Sequence, residues 1–472
     1  MNDMSSTLTP RRRRALLAAV MSGLLLAMLD QTIVGTALPQ IVDAVGGEDL
    51  YLWVVTAYLV PATVTLPIYA RLSDRHGRRN LLLIGMSLFL LGSALSAAAT
   101  DMTQLIAFRA LQGTGAGALE ALPFILVADL YSGERNAALQ GALAGLMGIS
   151  FIGGPLAGGF LADHVGWEAV FLVNLPIGLA AFATVARVLP KDLGRHERGT
   201  PLDLAGIALL TAAIGLILVG LSERSHGELP AWTQPEVGGF ILAGLALLVA
   251  FVAVERRATA PIIPMGLLTD RTTGALLAAA TVGTAGLYAG VFLLPRYFQG
   301  VEQVSATHSG LLVYPLLIGL LLAVNVAGMV IMKRLEFRTP LLVATSLAAL
   351  GALGFATFDA ATPRWESLVF MALVGVGVGP MLSGLQIAMQ RSVEPARMAA
   401  AMGTLILLRQ VGGAVALAAA GTLYAAGLDD GAGAAPATGT AVFAVTIAGA
   451  ALAAAALATL PRKATRLVPL VA

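Results

Sequence analysis

The sequence predicts an all-α protein that crosses a membrane many times. Hydrophobic residues occupy 57% of its 472 positions and charged residues only 12%, about half the charge that a water-soluble surface carries. The mean hydropathy is +0.84. The 53 glycines lie largely within apolar runs, where a missing side chain lets helix backbones approach closely. We therefore expect lipid to be the solvent for most of the chain.

Fourteen apolar runs approach the length of about 20 residues that a helix needs to cross a bilayer. An even number of crossings returns both termini to the same side of the membrane. The predicted spans are 15–37, 51–70, 80–99, 103–127, 137–162, 168–188, 204–221, 237–254, 273–296, 309–332, 340–358, 367–390, 400–425 and 439–460.

The basic residues give the orientation. If the N-terminus is cytoplasmic, the inner segments hold 24 lysines and arginines and the outer segments hold 3. This bias predicts that both termini are cytoplasmic. The run Arg11–Arg14 also resembles the start of a secretory signal, but the apolar segment continues past Asp30 and thirteen spans follow, so we expect the first helix to be retained. Because the basic residues anchor the topology, the pI of about 9.0 does not indicate nucleic acid.

The spans divide into groups. A charged cytoplasmic connection follows the sixth span, and the glycine runs Gly113–Gly117 and Gly375–Gly379 indicate a weak internal repeat. Repeats of this kind are typical of transporters that expose a central site alternately to either side. The predicted domains are a cytoplasmic N-terminus (1–14), a six-helix bundle (15–190), a cytoplasmic linker (191–203), two inserted helices (204–255), a second six-helix bundle (256–460) and a cytoplasmic tail (461–472).

The connection after the second span carries a recognisable motif. It reads Leu72-Ser73-Asp74-Arg75-His76-Gly77-Arg78-Arg79 and resembles the loop motif of the major facilitator superfamily. The resemblance implies a conformational latch that stabilises the outward-open state through charge-assisted contacts. Its predicted members are Asp74, Arg75, Gly77, Arg78 and Arg79.

Further motifs resemble one branch of that superfamily, the drug:proton antiporters with fourteen spans of the EmrB and QacA type. One departure is Gly35, which stands where the branch usually has asparagine. The matching segments are Leu29–Val34, Ala37–Pro39, Trp53–Tyr58, Arg109–Gly113, Gly153–Gly159 and Trp167–Phe171, followed by Asn174, Pro176 and Gly178. The fifth-helix motif implies close helix packing at Gly153, Gly154, Pro155, Gly158 and Gly159.

Four charges stand out within the predicted spans, namely Asp30, Arg109, Glu120 and Arg409. Charges are costly in lipid, so each is expected to face a cavity or a partner. We expect proton coupling at Asp30, Glu120 and Arg109, since loss of water favours the protonated carboxyl. The alternatives are a structural hydrogen-bonding role for Asp30, helix packing for Glu120, and a helix-end position for Arg409.

The substrate is expected between spans 1–6 and 9–14, with spans 7 and 8 packed outside this core. Asn325 and Gln386 are weaker candidates, since hydrogen bonding between helices would explain both. The residues predicted to line the cavity are Asp30, Gln31, Trp53, Tyr58, Glu120, Asn325, Gln386 and Arg409.

The predicted function is proton-coupled export of small organic compounds, such as drugs, by a monomer in the cell membrane. The resemblance implies that relatives exporting polyvalent cations carry extra acids in the tenth or thirteenth spans. This chain has none there, which favours neutral, amphipathic or monovalent substrates. The chain has no Gly-Lys dipeptide for an ATP-binding loop and no cysteine, so no ATP, metal or organic cofactor is expected and the proton is the coupling ion. An enzyme is not expected. The alternatives are a dedicated exporter of one metabolite, lipid or antibiotic, and a receptor or scaffold that does not transport.

Overall fold

The chain is helical almost throughout in the computed structural model, which confirms the predicted all-α class. The structure describes residues 9–131, 133–190, 203–223, 235–258, 261–334, 336–394, 397–429 and 431–460. The chain forms two compact units, one of Met1–Leu202 with Ser305–Thr307 and the other of Asp203–Val304 with His308–Ala472.

The described residues of 9–190 form seven α-helices in the first unit: α1 (Pro10–Val45), α2 (Trp53–His76), α3 (Arg78–Ala97), α4 (Met102–Leu130), α5 (Gly133–His164), α6 (Ala169–Leu172) and α7 (Asn174–Val188). Side chains cap two of the helix starts. Thr9 Oγ1 accepts a hydrogen bond from the Arg12 amide at 3.4 Å, and Asp101 Oδ1 accepts one from the Gln104 amide at 2.8 Å. Gly77 joins α2 to α3 with a φ of 87°, in the left-handed region that favours glycine.

Helix α4 lies between α2 and α3 and is in close contact with both. A Cβ on Gly113 or Gly117 would collide with the α2 backbone, and one on Gly115 would collide with the α3 backbone at Phe89. Alternate glycines thus face two neighbours. This is the close approach that the glycines of a membrane helix permit.

Helix α5 packs against α1 through two of the predicted glycines. A Cβ on Gly154 would collide with Thr32, and one on Gly158 with the backbone of Ile33. The prediction is wrong for Gly153, because no described residue lies within 4 Å of a Cβ placed there. Helical rotation explains the difference, since adjacent residues point about 100° apart.

The remaining motif residues of α5 also make contacts. The Pro155 carbonyl accepts a hydrogen bond from Thr36 Oγ1 at 3.1 Å, which ties α5 to α1 within the motif. Gly159 faces the backbone of Ala306, in the Ser305–Thr307 segment that belongs to this unit.

The second unit contains eleven helices in its described residues: α8 (Leu204–Glu223), α9 (Pro235–Glu255), α10 (Met265–Thr269), α11 (Arg271–Val282), α12 (Ala285–Gly300), α13 (Ala306–Leu312), α14 (Tyr314–Arg334), α15 (Arg338–Phe355), α16 (Arg364–Ser392), α17 (Met398–Asp429) and α18 (Ala434–Ala458). Helices α8 and α9 pack on one another, and α8 also contacts α17. Thr422 Oγ1 donates to the Leu221 carbonyl at 2.8 Å across that contact.

Helix α16 repeats the packing of α4. It lies between α14 and α15, and Gly375 and Gly379 face the backbone of α14 whereas Gly377 faces that of α15 at Ala348. The two glycine runs that suggested an internal repeat therefore serve the same packing role in the two units.

Twelve helices among the described residues are long and apolar enough to cross a membrane. They coincide with twelve of the predicted spans, so the multi-pass prediction is confirmed. The predicted span 137–162 coincides with α5, in which the side chains of several residues are not described. The predicted span 204–221 coincides with α8, whose apolar part is the 17-residue stretch Ala205–Leu221. The count of fourteen and the cytoplasmic location of the termini stay predictions.

The adjacent glycines of α5 provide a matched test of packing. We expect Gly154→Ala to lower the unfolding temperature in detergent, because overpacking a close contact costs about 1–3 kcal/mol. Gly153→Ala should leave it unchanged or raise it slightly, since alanine favours helix by about 1 kcal/mol over glycine. Equal effects of the two substitutions would contradict the packing described for α1 and α5.

Candidate functional site

The carboxyl group of Asp30, on α1, lies at the centre of a buried polar network. It forms an ion pair with Arg109 of α4, and the side chains of the two residues are 0% and 1% exposed. Asp30 Oδ1 also accepts hydrogen bonds from Gln112 Nε2 and Asn174 Nδ2, each at 2.9 Å. Arg109 donates a further bond to Gln112 Oε1 at 2.8 Å. Helices α4 and α7 therefore supply the partners that a buried carboxylate on α1 requires.

Arg109 is also held from the side of α2. Its Nε donates to the Val54 carbonyl at 3.3 Å, and its guanidinium carbon lies 4.2 Å from the ring centroid of Tyr58. The Tyr58 hydroxyl in turn donates to the Ala27 carbonyl of α1 at 2.9 Å. The guanidinium is thus held by an anion, a carbonyl and an aromatic face.

Asn174 extends the network to α3 and to the α6–α7 junction. It is the first residue of α7, and its Nδ2 also donates to Ser93 Oγ at 2.9 Å. Ser93 Oγ donates to the Phe171 carbonyl at 2.9 Å. The sequence showed Gln112 and Asn174 only as motif residues and gave no sign of Ser93, so the partners of Asp30 come from the structure.

Glu120 belongs to a second polar pair, next to the first. Gln31, which follows Asp30 in α1, donates from Nε2 to Glu120 Oε1 at 2.7 Å, and both residues are buried. One acid that the sequence proposed for proton coupling, Asp30, is thus followed in α1 by the residue that binds the other acid, Glu120. Glu120 and Arg109 lie on one α4 helix, and both reach α1.

Two threonines of α1 complete the contact with α5 beside this network. Thr32 Oγ1 donates to the Ser150 carbonyl at 3.1 Å, and Thr36 Oγ1 donates to the Pro155 carbonyl at 3.1 Å.

The predicted latch is resolved in part. Arg78 is buried and its Nε donates to Asp129 Oδ2 of α4 at 3.0 Å, with a further contact to Ser73 Oγ. Arg79 donates to the Ala186 carbonyl of α7, and Arg75 is exposed. The side chain of Asp74 lies outside the described residues. Asp129, which the sequence did not single out, is the described acid that pairs with the motif.

The other cavity candidates differ in their surroundings. Trp53 begins α2 and is half-buried. Asn325 is exposed and donates to the Leu321 carbonyl of its own helix at 2.8 Å, while Gln386 is half-buried. The Asn325 amide group is thus hydrogen-bonded within its own helix, α14.

Arg409 is buried and lies within α17, eleven residues after its first residue, Met398. Its neighbour Gln410 accepts a hydrogen bond at Oε1 from the Tyr288 hydroxyl of α12 at 3.0 Å. Gln410 and Tyr288 form a polar contact in a different unit from Asp30.

Comparison with known proteins gives one family. Residues 20–417 match the sequence model of the Major Facilitator Superfamily. Among curated proteins, the multidrug transporter protein MdtP of Bacillus subtilis (strain 168) is 33% identical over 399 residues, which are 84% of this chain and 73% of that protein. Multidrug resistance protein 3 of the same organism is 33% identical over 395 residues, 83% of this chain and 75% of that protein.

A solved structure shows the same fold. The xylose transporter XylE from E. coli, in a partially occluded inward open conformation, superimposes with a TM-score of 0.59 at 14% sequence identity. The match covers 94% of this chain and 97% of XylE. At this identity the likeness concerns the fold alone.

Removal of the buried cation tests the central ion pair. We expect Arg109→Met to destabilise the protein by about 3–5 kcal/mol, because it leaves the Asp30 carboxylate buried without a counter-charge. Adding Asp30→Asn should recover part of the loss. Unfolding in detergent measures both effects.

The exposed pair formed by Arg364 and Glu302 is the control. Its arginine side chain is 48% exposed, so Arg364→Met should change stability by no more than about 1 kcal/mol. If Arg364→Met and Arg109→Met cost the same, the buried pair does not have the structural importance assigned to it.

Proposed function

The chain belongs to the Major Facilitator Superfamily, a family of transporters, and we propose that it is a proton-coupled antiporter that exports small organic compounds. The observation that carries the proposal is the Asp30 carboxyl, fully buried against Arg109 and two amide side chains. It is the kind of intramembrane charge that marks a proton pathway. The relatives named as multidrug transporters support export of drugs.

Proton binding at Asp30 would change the network around it. A neutral carboxyl no longer compensates the charge of Arg109, so the guanidinium would turn toward its other contacts on α2 and α4. Helices α1, α4 and α7, which meet at this carboxyl, would then prefer a different arrangement. Coupling arises if proton and substrate shift the same equilibrium between inward-open and outward-open forms in opposite directions.

The driving force is sufficient for such an exchange. A proton that moves down an electrochemical gradient of ~150 mV releases about 3.5 kcal/mol. This free energy can maintain a gradient of a neutral solute of about a few hundredfold.

Glu120 is proposed as a second proton or substrate group. It accepts a hydrogen bond from Gln31, the residue that follows Asp30 in α1. Its carboxyl pairs with an amide, whereas that of Asp30 pairs with a cation. We therefore assign Asp30 to coupling and Glu120 to the modulation of coupling or to substrate contact.

The substrates are proposed to be neutral, amphipathic or monovalent. With few acids in its spans, the chain offers little compensation for a divalent cation. A dedicated exporter of one endogenous compound remains the alternative. Thermal-shift screening would support it if a single chemical class stabilised the protein.

For the membrane arrangement, we propose fourteen spans with both termini cytoplasmic, as in the branch that the motifs resemble. Helices α5 and α8 then join the twelve long apolar helices. The N-terminal bundle is 15–190 and the C-terminal bundle 256–460, with α8 and α9 inserted between them in sequence. The latch of residues 74–79 would lie on the cytoplasmic side, where Arg78 pairs with Asp129.

The coupling group is tested in proteoliposomes. We expect Asp30→Asn to reduce substrate flux driven by a pH gradient by at least about tenfold, while exchange without a gradient persists, because asparagine cannot carry the proton. A matched control is Ser87→Ala, on the exposed side of α3, which should behave as the wild type.

Two results would contradict this assignment. Undiminished gradient-driven flux in Asp30→Asn would place the coupling group elsewhere, with Glu120→Gln as the next variant. If the wild type binds ligands but never transports them under a gradient, the receptor or scaffold alternative is correct.

The number of spans is tested by labelling with a membrane-impermeant maleimide. The chain has no cysteine, so each introduced thiol reports alone. Val165→Cys and Ser225→Cys should be labelled in intact cells, and Ser132→Cys and Thr200→Cys only after permeabilisation. If the two positions that flank α5 or α8 are labelled alike, that helix does not cross the membrane.

A further inference from the structure

Two acids outside the Asp30 network each leave one buried carboxylate oxygen without a hydrogen-bond partner. Glu255, the last residue of α9, is 2% exposed; its Oε1 accepts from the Ile263 amide at 2.6 Å. Asp203 precedes α8, and its Oδ1 accepts from the Gly206 amide at 2.8 Å. The remaining oxygens, Glu255 Oε2 and Asp203 Oδ2, are buried and unpartnered.

These two oxygens face the same small space. A Cβ on Gly206 would lie 2.6 Å from Asp203 Oδ2 and 2.7 Å from Glu255 Oε2, so both oxygens lie against the same backbone position. The two carboxyl groups are within hydrogen-bonding reach of each other. Two adjacent ionised carboxylates repel, and burial strengthens the repulsion, so such a pair normally holds one proton between them.

The surroundings supply no other compensation among the described residues. From α8, Asp203 is the ionisable group that faces Glu255. The connection 261–264 contributes the backbone amides of Ile263 and Ile262 and contains no ionisable side chain. Arg256 and Arg257 follow Glu255 in the chain, but their side chains are exposed. A buried negative charge here therefore has a strong preference for a proton.

We propose that Asp203 and Glu255 form a proton-binding site in which the two carboxyl groups share one proton. The shared proton joins the start of α8 to the end of α9, and through Ile263 to the segment that leads into α11. The site is separate from Asp30, and its existence does not depend on transport.

The direction of the pH dependence follows from linkage. In the unfolded chain both carboxyls lose their protons near about pH 4, whereas the native pair retains one. The unfolded state therefore binds fewer protons above that pH, and stability contributed by the pair falls as the pH rises. The contact between the start of α8 and the end of α9 is therefore weaker under alkaline conditions.

Amide substitution tests the shared proton directly. In Glu255→Gln, Oε1 can still accept from the Ile263 amide while the new N–H donates to Asp203 Oδ2, so the hydrogen bond persists without a proton to lose. The wild type should show the infrared carbonyl band of a protonated carboxylic acid near neutral pH, and the variant should lack it. The fall in unfolding temperature between about pH 6 and about pH 8.5 should shrink by about half or more in the variant.

A second variant and a control complete the design. Asp203→Asn retains an oxygen for the Gly206 amide and should behave as Glu255→Gln does, which keeps the test valid if either variant folds poorly. Glu302→Gln alters an acid that pairs with an arginine and should leave the infrared band in place.

The proposal is wrong if the difference spectrum between wild type and Glu255→Gln shows no protonated acid near neutral pH. It is also wrong if sodium, potassium or magnesium stabilises the wild type at constant pH and fails to stabilise Glu255→Gln. The pair would then bind a metal cation in place of a proton. Neither readout involves substrate flux, so failure here is distinct from failure of the proposed antiport.

Discussion

The ion pair between Asp30 and Arg109 is the interaction on which the first unit depends. A charge removed from water is tolerated only when it is paired and its remaining hydrogen-bonding positions are filled. Gln112 and Asn174 fill those positions on the acid, and the carbonyl of Val54 serves the cation. Because these groups belong to α1, α2, α4 and α7, the need to satisfy one buried pair fixes four helices relative to each other.

Such contacts require helices that approach closely, and glycine makes the approach possible. Between helices in lipid there is little hydrophobic driving force, so packing and polar contacts hold them together. The α4 glycines admit the backbones of α2 and α3, and the α16 glycines admit those of α14 and α15 in the same alternation. One packing solution thus occurs in both units, while the polar groups placed on it differ.

The two buried acidic sites illustrate how surroundings set the chemistry of a carboxyl group. Asp30 faces a fixed cation, so its charged form is compensated and protonation would release Arg109. Glu255 faces another acid, so its charged form is opposed and a proton would hold the pair together. The first arrangement suits a group that takes up and gives back a proton during a cycle. The second suits a group that responds to the pH of its surroundings.

The sequence by itself determined the all-α class, the multi-pass character and the family, because hydropathy and short motifs are local properties of the chain. It also identified Asp30, Arg109 and Glu120, since a charge inside an apolar run is visible without a fold. Only the tertiary structure decided which groups those charges meet. The hydrogen bonds from Gln112 and Asn174 join residues 82 and 144 positions apart from Asp30. No local pattern encodes such pairs, because they depend on which faces of the helices the packing brings together. The same holds for Gly153, whose Cβ position no described residue approaches within 4 Å, and for the two unpartnered oxygens beside Gly206.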